Sequence, residues 1–149
     1  MGGDSDGTAS PNGRAEEIGA RRAVLIELLA ELPETRLSKP TTRHGWTLRH
    51  ELAWLAAADA ELLQRLELTS GANNDEPHWR RVRGEAMHAA QEMRLAALRE
   101  HLATSGGLVA TSLTKHAARL NDPMIRAALE THRGHGDSAT AALREMLAK

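Results

Sequence analysis

The chain contains no cysteine, phenylalanine or tyrosine, and its only members of the Phe, Tyr and Trp class are three tryptophans. Without cysteine there can be no disulfide, no thiolate metal ligand and no cysteine nucleophile. Aromatic and β-branched residues, the usual strand formers, are scarce, so the core must be built from leucine and alanine with methionine as filler. This composition predicts an all-α protein.

Neither sign of charge dominates, since 19 basic and 20 acidic side chains are interspersed along the 149 residues. Such a balance does not favour a nucleic-acid or an anionic membrane partner. No apolar run approaches the roughly 20 residues that cross a bilayer, and residues 1–14 lack the apolar segment of a signal peptide. We therefore expect a cytoplasmic protein with a disordered tail over 1–14 and one domain over 15–149.

Apolar side chains recur at helical spacing along most of the chain. We expect a first helix over about 15–32, ended by Pro33, and a second helix that starts after Thr47, a good N-cap. Its apolar stripe is interrupted by one carboxylate, Asp59. The stripe consists of Leu48, Leu52, Leu55, Leu62 and Leu66.

In the second half of the chain, the sequence predicts a loop over 70–77 and three further helices. The third helix spans about 78–103 and is expected to end at the Ser-Gly-Gly of 105–107. A short helix over about 108–120 follows, and Asp122-Pro123 starts a last helix that reaches about 147. The stripe of this last helix consists of Ile125, Leu129, His132, Gly136, Ala139, Leu143 and Met146. The sequence thus predicts an all-α four-helix bundle with a short extra helix before the last long helix.

Asp59 is the first candidate site residue, because a carboxylate within a leucine stripe must be paired, hydrogen-bonded or protonated. A structural partner such as Arg119, Arg126 or His116 is the favoured interpretation. The functional alternative is that Asp59 holds a ligand or an imidazole in place.

The last helix supplies two more candidates, His132 and His135, which lie three residues apart and share a face. They are interpreted either as core histidines or as metal ligands. Gly134 and Gly136 in the same turn cost the helix about 1 kcal/mol each. They predict a close helix approach or a pocket wall. Glu85 and His88 match half of a di-iron motif but have no second copy, so we expect a solvated face.

Two segments resemble the DinB-like superfamily, which includes the N-terminal metal-binding domain of mycothiol-dependent maleylpyruvate isomerases. Residues 45–59 begin Gly-Trp-Thr and end in an acidic residue, as the family's second helix does. Residues 135–143 run from a histidine through an acid to Ala-Leu, like the family's last-helix motif. The resemblance covers roughly residues 15–148, and Gly-Trp-Thr is its most specific part.

The resemblance implies a bundle that binds one divalent metal, zinc or nickel, through one side chain of the second helix and two of the last. In several members the metal activates a low-molecular-weight thiol such as mycothiol. The three ligand positions fall on Trp54, Thr131 and His135, and only His135 matches the family. His132 and His50 are the candidate replacement ligands.

Two functions follow as hypotheses. The first is a DinB-like metalloprotein that uses mycothiol or a similar thiol for transfer or isomerisation of a small molecule. The second is a non-catalytic bundle, with a degenerate metal site, that binds a small apolar ligand or a protein partner as a homodimer. A metal-free protein with an apolar pocket near Trp54, Gly134 and Gly136 would favour the second. The predicted pocket residues are Trp54, Thr131 and Gly136, and metal content separates the two hypotheses.

Overall fold

A computed structural model describes residues 11–42, 45–68 and 75–149, and within these ranges the chain forms five α-helices and no strand. The prediction of an all-α fold is confirmed. None of these helices is both long enough and apolar enough to cross a membrane. The five helices are α1 (Pro11–Ala30), α2 (Leu48–Glu67), α3 (Glu76–Gln91), α4 (Leu95–Lys115) and α5 (Pro123–Ala148).

Four of the helices, α1, α2, α4 and α5, form a bundle in which α1 and α2 lie diagonally opposite and each packs against both α4 and α5. Ion pairs at Glu17–Arg133 and Arg21–Asp137 show that α1 and α5 run parallel. Helix α3 packs on the outer side of α2. It therefore carries the chain back so that α4 can run parallel to α2.

The leucine stripe of α2 is buried along its whole length, together with Asp59, as its spacing predicts. The predicted stripe on α5 is also buried, from Ile125 to Met146, except for the half-buried Gly136. Both helices begin at their expected caps. Thr47 accepts a hydrogen bond from the His50 amide, and Asp122 accepts one from the Met124 amide.

The prediction for the middle of the chain is wrong in one respect. The expected third helix over 78–103 is two helices, because α3 ends at Gln91, where Arg49 of α2 donates to the carbonyls of Gln91 and Met93. Helix α4 then continues through the Ser-Gly-Gly at 105–107. The predicted short helix over 108–120 is largely the second half of α4, and only a 3-10 turn, Ala117–Asn121, separates α4 from α5.

Two boundary predictions fall partly outside the described ranges. Helix α1 already begins at Pro11, inside the segment expected to be a disordered tail, while residues 1–10 are not described. Helix α3 begins at Glu76, inside the loop predicted over 70–77, of which residues 70–74 are not described. Glu85 and His88 on α3 are exposed, as expected for a solvated face.

Candidate functional site

A buried polar network is centred on Asp59, which is 1% exposed. Arg22 of α1 donates to both carboxylate oxygens, at 2.9 and 2.7 Å. The His132 Nε2 atom of α5 lies 2.7 Å from Oδ1, and the Ser105 hydroxyl of α4 donates to Oδ2 at 2.5 Å. One carboxylate thus joins all four helices of the bundle.

The network determines the charge of Asp59. Burial raises the pKa of this carboxyl, but the hydrogen bonds and charges of Arg22 and His132 outweigh burial and lower the pKa from 3.8 to about 2. Arg22 also donates to the Leu102 carbonyl at 2.7 Å. Asp59 is therefore ionised at neutral pH, and the buried guanidinium has a full counter-charge.

The favoured structural partners of Asp59 were predicted incorrectly. Arg119 donates to the carbonyls of Leu66 and Leu68, Arg126 donates to the Asn121 carbonyl, and His116 pairs with Glu67. The sequence does contain a signal for the true partner. Arg22 stands four residues after Ile18 and three before Leu25, so it lies on the apolar face of α1.

The alternative role predicted for Asp59 includes holding an imidazole in place. Asp59 does make such a contact, with His132. His132 is 5% exposed and is buried as the α5 stripe predicts. It borders two cavities, one on each side of α5. Asp59 therefore fixes the orientation of the polar side chain that separates them.

The first cavity, here called the α1/α5 cavity, has a volume of about 420 Å³. Arg22 and His132 form its polar floor, and small side chains of α5, including Gly136, leave the space that the cavity occupies. Most of the lining is apolar. The apolar wall consists of Ile18, Val24, Leu25, Leu55, Leu129 and Ala141.

The rim of the α1/α5 cavity carries charged side chains from both helices. Arg21 pairs with Asp137 at 2.5 Å, and Arg133 pairs with Glu17 at 3.8 Å. Both pairs are about half exposed, so each contributes roughly 0–1 kcal/mol and does not hold the rim closed. Two further arginines, Arg14 and Arg144, also line the cavity.

The second cavity, here called the α2/α5 cavity, has a volume of about 520 Å³. Trp54, Thr131 and His135 all line it, although the resemblance alone identified these three as equivalent positions. The charged side chains of its outer part balance, because Glu61 pairs with Arg65 and Arg83 at 2.8 Å and Arg83 also pairs with Glu76 at 2.5 Å. Gly136 belongs to the other cavity, so the predicted pocket residues are divided between two sites.

Aromatic rings stack in the wall of the α2/α5 cavity. The Trp54 ring lies between Trp46, with centroids 5.9 Å apart, and His135, with centroids 5.3 Å apart and planes within 6°. Trp54 Nε1 donates to His50 Nε2 at 2.9 Å. Burial and the nearby His132 lower the pKa of His135, so its imidazole is neutral at neutral pH.

Each of the three histidines predicted as metal ligands already contacts another side chain. His132 is bonded to Asp59, His50 accepts from Trp54, and His135 stacks on an indole that cannot ligate. Within 11–42, 45–68 and 75–149, no three His, Asp or Glu side chains are grouped so that they could hold one ion. The side chains as placed do not fit a three-ligand site, and metal binding stays a prediction.

The glycines of α5 have a clear outcome. A Cβ atom at Gly134 or Gly136 would meet no atom within 4 Å, so no other helix packs closely against either residue. Gly136 faces the α1/α5 cavity, whereas Gly134 is exposed. The close approach is instead at Gly106 of α4, where a Cβ would lie 2.6 Å from Arg22 Nη1.

Comparisons with protein-family models, with curated proteins and with solved structures find no match for this chain. The resemblance to the DinB-like superfamily therefore rests on the two sequence segments alone. Two features of the structure do not depend on this resemblance. The hydrogen-bonded network around Asp59 spans the bundle, and a cavity lies on either side of His132.

Proposed function

We propose that this chain is a small-molecule-binding helical bundle whose site is the α1/α5 cavity. The observation that carries the proposal is the cavity itself. Its volume of about 420 Å³ falls in the range of roughly 300–1,000 Å³ typical of ligand pockets, and most of its lining surface is apolar, as in such pockets. A ligand of mainly apolar character fits such walls.

Binding without chemistry is supported by the state of the polar groups on the floor. Arg22 is held by Asp59 and by the Leu102 carbonyl, and His132 is bonded to the same carboxylate. An activated nucleophile needs a base that accepts its proton, yet the Ser105 hydroxyl donates to a carboxylate whose pKa is about 2. This network stabilises the bundle and shapes the cavity.

The proposal is tested with N-phenyl-1-naphthylamine, a neutral apolar dye whose fluorescence rises in an apolar pocket. We expect saturable binding to the wild-type chain. Gly136→Leu places a large side chain in the open space of the cavity, so it should abolish dye binding. Gly134→Leu adds the same side chain to the exposed surface of α5 and should leave binding unchanged.

Both substitutions replace a helical glycine with a better helix former, so each variant should fold at least as well as wild type. Circular dichroism and thermal unfolding check this directly. Absence of saturable dye binding to the wild type would reject the proposal. So would equal binding by the two leucine variants, because the dye would then sit elsewhere.

A second candidate is the metal-dependent thiol chemistry that the resemblance implies. One observation favours it: Trp54, Thr131 and His135, the three positions equivalent to the family's ligands, line the same α2/α5 cavity. Under this candidate His135 binds zinc or nickel with a replacement ligand such as His132 or His50, and mycothiol or a similar thiol is the co-substrate.

Elemental analysis of protein purified without an affinity tag tests the second candidate. About one metal per chain in wild type and none in His135→Ala would support it. No metal in either protein after incubation with zinc and nickel would reject it and leave dye binding unaffected. A cytoplasmic location belongs to the proposal as well, and a homodimer stays a prediction that light scattering can check.

A further inference from the structure

We infer that the ligand of the α1/α5 cavity is a single-chain amphiphile with an anionic carboxylate head, such as a medium-chain fatty acid, which lies with its chain along the apolar wall and its head at the arginine-rich rim. This inference rests on the proposed function, since it names the class of molecule that the same cavity takes. It is drawn from the charge balance of the lining residues.

Arginines outnumber carboxylates around the cavity. Among the residues that the structure describes, five arginines and two carboxylates line it, which leaves three surplus positive charges. Asp59, behind the floor, neutralises Arg22 and reduces the surplus to two. Arg21 and Arg133 are paired across the rim. The five arginines are Arg14, Arg21, Arg22, Arg133 and Arg144.

The two surplus charges belong to Arg14, near the start of α1, and Arg144, near the end of α5. Because α1 and α5 run parallel, with Glu17 level with Arg133 and Arg21 level with Asp137, one carboxylate head pairs with only one of these two arginines. Neither makes an ion pair or a hydrogen bond with another residue in the described ranges. A guanidinium offers five N–H donors and binds a carboxylate in a planar, two-pronged geometry. An apolar cavity whose unused polar groups are guanidinium donors therefore favours an anionic ligand over a neutral one and disfavours a cation.

The floor determines which way the ligand points. Arg22 already donates to Asp59 and Leu102, and His132 Nε2 is bonded to Asp59, so these atoms have little left to offer a carboxylate. The unused guanidinium donors lie at the rim, where solvent also reaches the head group. The apolar chain therefore occupies the interior, between Leu25 of α1 and Leu129 of α5.

The experiment measures how well three molecules with the same chain displace N-phenyl-1-naphthylamine from the wild-type protein: decanoate, decanol and decyltrimethylammonium. Decanoate should compete at a concentration up to about fivefold lower than decanol, because one exposed ion pair contributes up to that factor. The cationic amphiphile should be the weakest. Added salt should weaken decanoate but not decanol.

Two double variants that remove the same number of positive charges distinguish the effect of the rim arginines from the effect of the net charge of the chain. Arg14→Gln with Arg144→Gln should remove the preference for decanoate and leave decanol binding unchanged. Arg80→Gln with Arg81→Gln, on the exposed face of α3, lowers the net charge equally and should keep the preference.

Each outcome has one meaning. Equal competition by decanoate and decanol, or the same loss in both double variants, overturns the inference while dye binding still supports the proposed function. Failure of the dye to bind wild type rejects the proposed function itself, and the inference with it.

Discussion

Arg22 of α1 occupies the volume that a side chain at position 106 of α4 would need. A Cβ atom built on Gly106 would lie 2.6 Å from the Arg22 Nη1 atom and 2.8 Å from its Cγ. The guanidinium crosses the α1–α4 interface at this point to reach Asp59. Position 106 of α4 therefore has no room for a side chain as long as Arg22 is buried at this point.

Gly106→Ala should destabilise the protein, whereas Gly107→Ala should stabilise it. At 106 the methyl group collides with the Arg22 side chain, and overpacking of this kind costs about 1–3 kcal/mol. At 107 a Cβ meets nothing within 4 Å, so only the helix propensity changes, by up to about 1 kcal/mol in favour of alanine. Urea unfolding of both variants measures the difference. Equal effects at the two positions would contradict the close approach.

Asp59→Asn should be among the most damaging single substitutions in the chain. It leaves the Arg22 guanidinium buried without a counter-charge, which typically costs about 3–5 kcal/mol. Glu31→Gln, the same change at an exposed position, should shift the free energy of unfolding by less than about 0.5 kcal/mol.

Replacing the three ionisable members of the network with apolar side chains tests why Asp59→Asn is damaging. The triple variant Arg22→Met, Asp59→Leu, His132→Leu removes all three polar partners together, so it should be far more stable than Asp59→Asn and near wild type. If the triple variant were as unstable as the single one, the loss would come from packing rather than from an unpaired charge.

The sequence predicts those elements whose apolar spacing is uninterrupted. The stripes on α2 and α5 and the caps at Thr47 and Asp122 lie where the pattern places them, because burial and capping are local properties. The break after Gln91 does not follow from local spacing, because Arg49 of another helix donates to the carbonyls of Gln91 and Met93. Gly106 likewise does not end a helix as predicted, because it makes room for Arg22 of α1. Tertiary contacts override local signals at both places.

The candidate site, too, could be predicted from the sequence only in part. That Asp59 needs a partner follows from its place among leucines, but which arginine supplies it depends on how α1 packs against α4. The α1/α5 cavity could not be inferred from the sequence, because it arises where the small side chains of α5 face α1. A pattern on one helix does not reveal the space between two.

Acid should weaken the fold through Asp59. Its pKa is about 2 in the folded chain and 3.8 ordinarily, so the unfolded state takes up the proton first as the pH falls. The stabilisation is fully present above about pH 5, declines below it, and amounts to about 2 kcal/mol. Urea unfolding of wild type and of the apolar triple variant between about pH 5 and pH 2 should show wild type losing more. Parallel curves would contradict this assignment.

His135 adds a second acid-sensitive contribution, of the same sign. Its pKa is lowered by burial and by His132, so the folded state disfavours the imidazolium that the unfolded chain forms below its ordinary pKa of 6.5. Stability should therefore fall as the pH drops below that value. His135→Gln should reduce the decline that begins below pH 6.5 and leave the contribution of Asp59 in place.

Trp54→His combined with Thr131→His should create a zinc site where the wild type has an aromatic stack. Both positions line the α2/α5 cavity with His135, and the Trp54 and His135 rings are already 5.3 Å apart. Positions 131 and 135 are one helical turn apart on α5, so three imidazoles would surround one cavity, a common donor set for zinc. Calorimetric titration should show about one zinc per chain, bound more tightly than by wild type. Adding His135→Ala should abolish the gain. A folded double variant with no such gain would mean that the three positions do not converge, and the metal site implied by the resemblance would lose its geometric support.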